Sequence, residues 1–252
     1  MSEQIEITFE PHTTPEKTLL TARKYCDKNI HINATPLVAA EYGAGVTFGR
    51  EDAHNAFWDV FQQNGTRTNY KQAFYGIGWD DVTYNPKHPV VTKDASSMYA
   101  DSVIAKHIEV DTSQSTTLEL MFYRQRYVQS VGVIDSRSAS NIRRTFLGAS
   151  SLHTIDKLIL KDDGSQMFYD DRTFEGCTNL ANITIEGAIG CNLSMKDCLA
   201  LSRASVTSIV NALSATASGL TLTMHSGVKT KFTDAEWATL IATKSNWTIS
   251  LV

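Results

Sequence analysis

The segment at residues 146–159, FLGASSLHTIDKLI, has the same pattern as the segment at residues 174–185, FEGCTNLANITI. Both begin with an aromatic residue, place Gly two positions later, and then place Leu and Ile at matching positions. Phe146 and Phe174 are 28 residues apart, and the Gly, Leu and Ile positions recur at the same interval. Several positions that recur at one interval indicate a repeat protein, whose copies stack and share a core. Stacked repeats more often form binding surfaces or structural scaffolds than catalytic pockets.

The pattern extends through residues 95–187, where four aromatic residues are each followed nine positions later by a β-branched residue. The aromatic residues are Tyr99, Phe122, Phe146 and Phe174, and the β-branched residues are Ile108, Val131, Ile155 and Ile183. The nine-residue interval is constant, although the full period changes from 23 to 24 to 28 residues. Apolar pairs such as Val131 and Val133 predict one short strand per repeat, with its apolar side in a continuous core. Stacked in order, these strands predict a parallel sheet.

Units of helix and strand are predicted to continue through residues 188–252. Apolar residues at helical spacing indicate a first helix, and these residues are Val206, Ile209, Val210 and Leu213. We expect Gly219 to end this helix. A second helix is expected to begin after Thr233 as its N-cap. Its first turn contains Asp234 and Glu236, and its inward face contains Trp237, Leu240 and Ile241. The segments LTLTM and WTISLV predict strands, since Leu222 and Ile249 are 27 residues apart.

The N-terminal part of the chain differs from the repeats. In residues 1–36, two segments with alternating apolar residues predict two short strands, and these residues are Ile5, Ile7 and Phe9, then Ile30 and Ile32. Such a unit is too small to be stable alone, so we expect it to pack on a partner or on copies of itself. Residues 37–94 combine a glycine-rich connector with short helical segments.

Aromatic residues are dense in residues 37–94, and we expect them to close the end of the repeat stack as a cap. An alternative is that exposed rings stack on sugars. The candidate ligand-binding residues for this alternative are Trp58, Tyr75, Trp79 and Tyr84.

The fold class follows from these segments. We predict an α/β chain, with a leucine-rich-repeat-like solenoid of short parallel strands at residues 95–252. The helical cap at residues 37–94 and the small β unit at residues 1–36 precede it. The chain has 252 residues, of which 42% are hydrophobic and 20% are charged, and this suits a folded chain with a sizeable core.

The charge pattern and the apolar pattern exclude two kinds of partner. The net charge is −4, which argues against binding to a phosphate backbone. The densest basic run contains Arg137, Arg143 and Arg144, but Asp135 dilutes it, so we interpret it as solvated surface. The N-terminal residues lack the apolar core of a signal peptide, and no apolar run reaches membrane-spanning length. We therefore expect synthesis in a cytoplasm, with neither nucleic-acid binding nor membrane insertion.

Motifs for catalysis and for metal binding do not occur in the sequence. The seven histidines never form H-x-x-x-H, and no G-x-S-x-G occurs. We therefore predict no enzymatic activity, no catalytic residue, no cofactor and no metal site. His107 lies four residues before Asp111, where we expect a surface hydrogen bond rather than a catalytic pair. Asp163 and Gly164 predict a turn rather than a calcium site.

The four cysteines are Cys26, Cys177, Cys191 and Cys198, and no pair has C-x-x-C spacing. Cys177 occupies the position that Ala149 holds in the preceding copy, so we predict a small core residue. A disulfide or metal role for the cysteines stays open.

Three parts of the chain resemble one group of proteins. Residues 14–34, TPEKTLLTARKYCDKNIHINA, resemble a segment of minor structural and tail-associated proteins of phages and prophages of Gram-positive bacteria. Arg23 stands where that pattern commonly has Gly. Residues 57–79, with the pattern FWDxFQxNGxRTxYxxAFxGxGW, resemble the segment before the repeats in the same proteins. The repeats themselves are similar to leucine-rich repeats of the bacterial surface-antigen class, in which F-x-G-C-x-x-L is typical.

The resemblance implies a non-enzymatic virion protein of the tail that binds the host cell surface. Residues 1–36 would join it to other virion proteins, and the solenoid would contact a host polysaccharide or protein. A homotrimer is a further expectation, since attachment proteins of virions are commonly symmetric. The alternatives are a bacterial surface adhesin with leucine-rich repeats and a tail-borne cell-wall hydrolase.

Overall fold

The computed structural model describes residues 4–8, 29–33, 46–48, 94–101, 106–165, 168 and 172–252. Within these residues the chain is α/β with short, mainly parallel strands, which confirms the predicted class at this level. The strands are β1 Gln4–Thr8, β2 Asn29–Asn33, β3 Val46–Phe48, β4 His107–Ile108, β5 Ser130–Asp135, β6 Thr154–Ile159, β7 Asn182–Glu186, β8 Leu193–Met195, β9 Leu220–Met224 and β10 Trp247–Leu251. The helices are α1 Arg203–Ala212 and α2 Asp234–Ala242, with a 3-10 helix at Ser226–Lys231.

Strands β4 to β7 form one parallel sheet in which each strand pairs with the next along the chain. The β-branched residue nine positions after each aromatic residue is in register with its counterpart in the neighbouring strand. These aligned residues are Ile108, Val131, Ile155 and Ile183. All four are buried. The constant interval in the sequence therefore predicted the register of this sheet correctly.

The aromatic residues of the four repeats stack ring on ring in the core. The ring centroids are 5.4 Å apart for Tyr99 and Phe122, 5.4 Å for Phe122 and Phe146, and 5.5 Å for Phe146 and Phe174. The planes of neighbouring rings differ by 12° or less. No ring residue is more than 1% exposed. The apolar core therefore continues from each repeat into the next.

The segments that carry the rings are hydrogen-bonded turns. Backbone N–H groups of alternate residues in one turn donate to carbonyls of the next repeat, as Tyr99 does to Met121 at 2.9 Å. Phe122 donates to Thr145 in the same way, at 2.8 Å. These bonds satisfy backbone groups that burial would otherwise leave without a partner. They also form a second ladder between repeats, in addition to the ladder of the sheet.

The turns require left-handed backbone on both sides of the ring. The residues with positive φ are Ser97, Asp101, Leu120, Arg124, Arg144, Gly148 and Gly176. They lie two positions after the aromatic residue in all four repeats, and two positions before it in the first three. A side chain in this conformation costs about 1–2 kcal/mol, and Gly avoids that cost. The third and fourth repeats thus have Gly where the first two have Asp101 and Arg124.

The prediction that Val133 faces the core was wrong. Val133 is 48% exposed, and Ile134 takes the inward position instead. Strands β5 and β6 pair without a shift, so that Ile134 aligns with Leu158. The register shifts only between β6 and β7, where Leu158 aligns with Ile185. One extra residue in β5 and β6 thus turns Val133 outward, as a β-bulge does.

Helix α1 covers the edge of the sheet beside β7. The N–H of Ile183 donates to the Ser205 hydroxyl at 2.9 Å, and the N–H of Ile185 donates to the Ser208 hydroxyl at 2.9 Å. The Ser205 hydroxyl in turn donates to the carbonyl of Ala181 at 3.0 Å. Two serines three positions apart lie on the same face of a helix. Their hydroxyls can therefore accept from two N–H groups that lie two positions apart on the edge of a strand. The helix thus takes the place of a fifth strand.

Helix α1 ends earlier than the sequence predicted. The expected end was Gly219, but the last helical residue is Ala212, and Gly219 lies just before β9 with φ of 71°. Leu213 leaves the helix because it forms a parallel bridge with Ile189. The N–H of Ser214 donates to the carbonyl of Ile189 at 2.8 Å. A tertiary pairing therefore ends the helix.

The C-terminal units agree with the other predictions. Strands β8, β9 and β10 form a second parallel sheet, and Leu222 aligns with Ile249, as their spacing predicted. Thr233 is the N-cap of α2 and forms a capping box with Glu236. Trp237 is buried, and the neighbouring apolar residues of α2, Leu240 and Ile241, are half-buried against the core.

Three short strands are described in the N-terminal part. Strand β1 pairs with β2 in parallel, and β2 pairs with β3 in antiparallel orientation. The predicted strands containing Ile5 and Ile30 lie in β1 and β2, whereas β3 was not predicted. The predicted helices of the cap lie outside the described residues, and the predicted domain boundaries stay predictions.

The aromatic stack generates a first prediction. Phe146→Ala should lower the free energy of unfolding by about 3–5 kcal/mol, because it leaves a cavity between two rings. Chemical denaturation of the purified chain measures this change. Val133→Ala serves as the control, since the side chain is half-exposed and its loss should change stability by no more than about 0.5 kcal/mol. Equal losses in the two variants would show that the rings do not hold the repeats together.

The left-handed positions generate a second prediction. Gly176→Ala should destabilise the chain by about 1–2 kcal/mol, because φ is 76° and the new Cβ would lie 3.3 Å from Cα of Gly148. Arg124→Gly at the equivalent position should change stability by less than about 1 kcal/mol, because relief of strain offsets the entropy of glycine. Thermal denaturation of both variants checks the contrast. A Gly176→Ala variant as stable as the parent chain would contradict the assigned turn geometry.

The capping box of α2 generates a third prediction. The backbone N–H of Thr233, Arg203 and the Thr233 hydroxyl together lower the pKa of Glu236 to about 2. Since the folded state favours the charged carboxylate, its contribution is present above the ordinary pKa of 4.5 and is lost as the pH falls towards 2. The parent chain should thus lose more stability between pH 4.5 and pH 2 than Glu236→Gln. Denaturation midpoints with the same pH slope in both proteins would contradict this.

Candidate functional site

The sheet of β4 to β7 has one buried face and one open face. Inward residues such as Ile155 are buried, whereas outward residues such as Asp156 and Thr184 are exposed. Alternation along each strand therefore separates side chains that build the core from side chains that meet solvent. Two neighbouring grooves lie on the open face, and four polar residues of these strands line them: Ser130, Asp135, Thr154 and Asp156.

The acidic groove lies over β4, β5 and β6 and has a volume of about 590 Å³. Four carboxylates line it, and these belong to Glu109, Asp111, Asp135 and Asp156. Gly132 and Val133 lie between them. A Cβ at Gly132 would lie only 2.9 Å from Cγ of Glu109, so the absence of a side chain lets Glu109 lie across β5.

One of these carboxylates is neutralised by an ion pair. Asp135 accepts from Arg137 Nη2 at 2.6 Å and from Arg137 Nε at 3.0 Å. The hydrogen bonds to Arg137 lower the pKa of Asp135, although burial opposes them. Asp111 accepts from the N–H and the hydroxyl of Ser113, at 2.9 and 2.6 Å. The groove thus has a negative charge beside a half-exposed apolar residue.

The polar groove lies where β5 and β6 begin, and it has a volume of about 500 Å³. Its lining residues are Gln129, Ser130, Ser151, His153, Thr154 and Asn179. None of these six is an acid, a lysine or an arginine. The position before each inward β-branched residue is polar in all four strands, and these aligned residues are His107, Ser130, Thr154 and Asn182. The groove therefore follows a row of in-register polar groups.

Hydrogen bonds orient the side chains of the polar groove. Nδ1 of His153 lies 3.0 Å from the Thr154 hydroxyl, and the Asn182 amide donates to the same hydroxyl at 3.5 Å. The Asn179 amide nitrogen donates to the carbonyl of Ser150 at 2.7 Å. This bond uses one of the two N–H groups of Asn179, so the second N–H and the amide oxygen can still bond a ligand in the groove.

A serine, a histidine and a carboxylate meet at the border of the two grooves. Nδ1 of His107 lies 2.7 Å from the Ser130 hydroxyl, and Nε2 lies 3.4 Å from Glu109. The set has the residue types of a nucleophile, a base and an orienting acid. Acyl transfer also needs N–H donors for the oxyanion, but the backbone N–H of Ser130 donates to Lys106 and that of Thr154 donates to Gln129. His107 thus contacts Ser130 in a half-buried position, which differs from the surface hydrogen bond with Asp111 that the sequence predicted.

The aromatic candidates from the sequence belong to a part of the chain that the structure does not describe. Trp58, Tyr75, Trp79 and Tyr84 lie outside the described residues. Their role as a sugar-stacking set stays a prediction. The two grooves were not predicted, because each residue that lines them is ordinary when taken singly. Alignment of the four repeats would have revealed the polar column one position before each β-branched residue.

The described cysteines belong to the scaffold. Cys177 is fully buried, as predicted, and its thiol donates to the carbonyl of Phe146 at 3.1 Å. Burial raises the pKa of Cys177 well above its ordinary value and raises that of Cys198 to about 12. Cys177 and Cys198 are free thiols, and Cys26 lies outside the described residues. Thiols held in the neutral form are poor metal ligands and poor nucleophiles.

Two further sequence interpretations concern residues that the structure describes. Asp163 and Gly164 form the predicted turn, in which the Asp163 carboxylate accepts from the N–H of Ser165 at 2.9 Å. In the basic run, Arg137 is paired with Asp135, and Arg143 lies 3.8 Å from Glu119. These ion pairs support the interpretation of the run as solvated surface.

Comparison with known proteins gives no relative to which the chain can be assigned. No family model matches the chain. No curated protein matches it, and no solved structure does. Among the described residues, no helix has the length and apolar character to cross a bilayer. No group of three or more histidines, cysteines, aspartates and glutamates that could hold a metal ion occurs in the same part of the chain.

Proposed function

We propose that the chain is a non-enzymatic, tail-associated virion protein of a phage that binds the surface of the host cell. In this proposal the repeats form a leucine-rich-repeat-like solenoid, and the helical cap and the small β unit precede it. Residues 1–36 join the chain to other virion proteins, and the protein functions as a homotrimer. The resemblance of residues 14–34 and 57–79 to such proteins supports this assignment.

The open face of the β4 to β7 sheet is the observation that carries the binding role. Inward positions repeat as apolar residues, while outward positions differ from one strand to the next. Repeat proteins use such a division to place a variable recognition surface on a constant scaffold. Two grooves of about 590 and 500 Å³ on this face give a ligand concave surfaces to bind.

The geometry at Ser130 and His107 favours binding over catalysis. The backbone N–H groups of Ser130 and Thr154 donate to carbonyls, so they are not available to stabilise a developing oxyanion. A hydrolase would also require an acid and a base whose environments differ strongly. The carboxylates of the acidic groove are hydrogen-bonded or exposed, as at Asp111 and Asp156.

Adsorption to intact cells tests the binding role. Fluorescently labelled chain should bind cells of a Gram-positive host, and Thr154→Arg should abolish this, because a long charged side chain then fills the polar groove on the open face. Ala238→Arg is the matched control, since it adds the same side chain at an exposed position of α2, away from the sheet. The control should bind as well as the parent chain.

Three results would overturn the proposal. If the parent chain does not adsorb to host cells, or if both arginine variants adsorb equally, the open face is not the recognition surface. If the purified chain clears a suspension of host cell walls, the non-enzymatic role is wrong. Immunogold labelling of purified particles tests the tail location separately, because an unlabelled tail would contradict it whatever the adsorption result.

A further inference from the structure

We propose that the polar groove binds a neutral linear glycan that lies across the repeats of β5, β6 and β7, with about one sugar unit per repeat. The inference rests on the proposed function, since it names the class of cell-surface ligand that the open face recognises. It concerns the polar groove alone and leaves the acidic groove outside the binding site.

The chemistry of the lining selects an uncharged ligand rich in hydroxyl groups. The groove offers hydroxyls from Ser130 and Thr154 and amides from Gln129 and Asn179. Such groups both donate and accept hydrogen bonds, as sugar hydroxyls do. An anionic polymer would require lysine or arginine for charge-assisted bonds, and none lines the groove. A cationic segment would instead meet the carboxylates of the acidic groove.

The spacing of the repeats selects an extended polymer. Neighbouring strands lie about 4.8 Å apart, so in-register residues repeat at that distance across the sheet. Ser130 and Thr154 are in register, and so are Thr154 and Asn182. A pyranose unit in an extended glycan has a comparable length. Each successive sugar can therefore meet an equivalent polar position on the next repeat.

The groove is organised before any ligand arrives. The Asn179 amide is held by the carbonyl of Ser150 at 2.7 Å, and the Ser151 hydroxyl is held by the carbonyl of Arg126 at 2.6 Å. The Thr154 hydroxyl has His153 as a neighbour at 3.0 Å. Side chains that are already ordered lose little entropy on binding, which is important for a ligand that binds through many weak hydrogen bonds.

Calorimetric titration of the full chain with soluble oligosaccharides tests this inference. The probes are a linear β-linked glucan series, a β-linked N-acetylglucosamine series and poly(glycerol phosphate). At least one neutral series should bind, and its affinity should rise from one sugar unit to three and then level off. Thr154→Val should weaken binding about five- to tenfold through the loss of hydrogen bonds. Asp156→Asn, two residues further along β6 in the acidic groove, should change it less than about twofold.

Folding is checked by circular dichroism and by the midpoint of thermal unfolding. If Thr154→Val does not fold, Ser130→Ala gives the same comparison from the neighbouring strand. The inference is overturned if neither neutral series binds at millimolar concentration, if poly(glycerol phosphate) alone binds, or if Thr154→Val and Asp156→Asn have equal effects. Failure here with continued adsorption to cells leaves the proposed function in place, whereas loss of adsorption by the parent chain contradicts both.

Discussion

The hydrogen bonds between successive turns are the constraint on which the repeats depend. Alternate N–H groups of one turn donate to carbonyls of the next, and the backbone is left-handed after all four rings and before the first three. That geometry fixes the path of the chain from the ring to the strand that follows. The β-branched residue of the strand therefore lies nine positions after the aromatic residue in every repeat. The segment from a strand to the next ring also forms hydrogen bonds between repeats, as the N–H of Ser140 does with the carbonyl of Thr116 at 3.0 Å, but its length differs from repeat to repeat. Insertions are accommodated there, and the period changes from 23 to 28 residues.

The parts of the fold that local chemistry determines were predictable from the sequence. Aligning rings and β-branched residues predicted the register of β4 to β7, and Thr233 with Glu236 predicted the start of α2. The errors came from contacts between distant residues. The bulge that turns Val133 outward is defined only by the neighbouring strands, and Ile189 ends α1 by pairing with Leu213. No pattern within the helix or the strand contains that information.

The candidate site was less predictable than the scaffold for a physical reason. Core positions repeat because they must pack, whereas open-face positions need only be soluble, so they leave no periodic apolar pattern. Aromatic density drew attention to residues such as Trp58, whereas the grooves are built from serine, threonine, asparagine and aspartate. Their common feature is alignment across strands, as for Ser130 and Thr154, and it becomes visible only when the four repeats are compared position by position.

Helix α1 also determines where strand addition stops. A parallel sheet with a free edge is a template for any passing chain, and repeat sheets share this hazard at both ends. The hydroxyls of Ser205 and Ser208 occupy the N–H groups of β7 that an incoming strand would use. The helix therefore separates the β4–β7 sheet from the β8–β10 sheet. The strands of the β8–β10 sheet thus pair independently of those of the β4–β7 sheet.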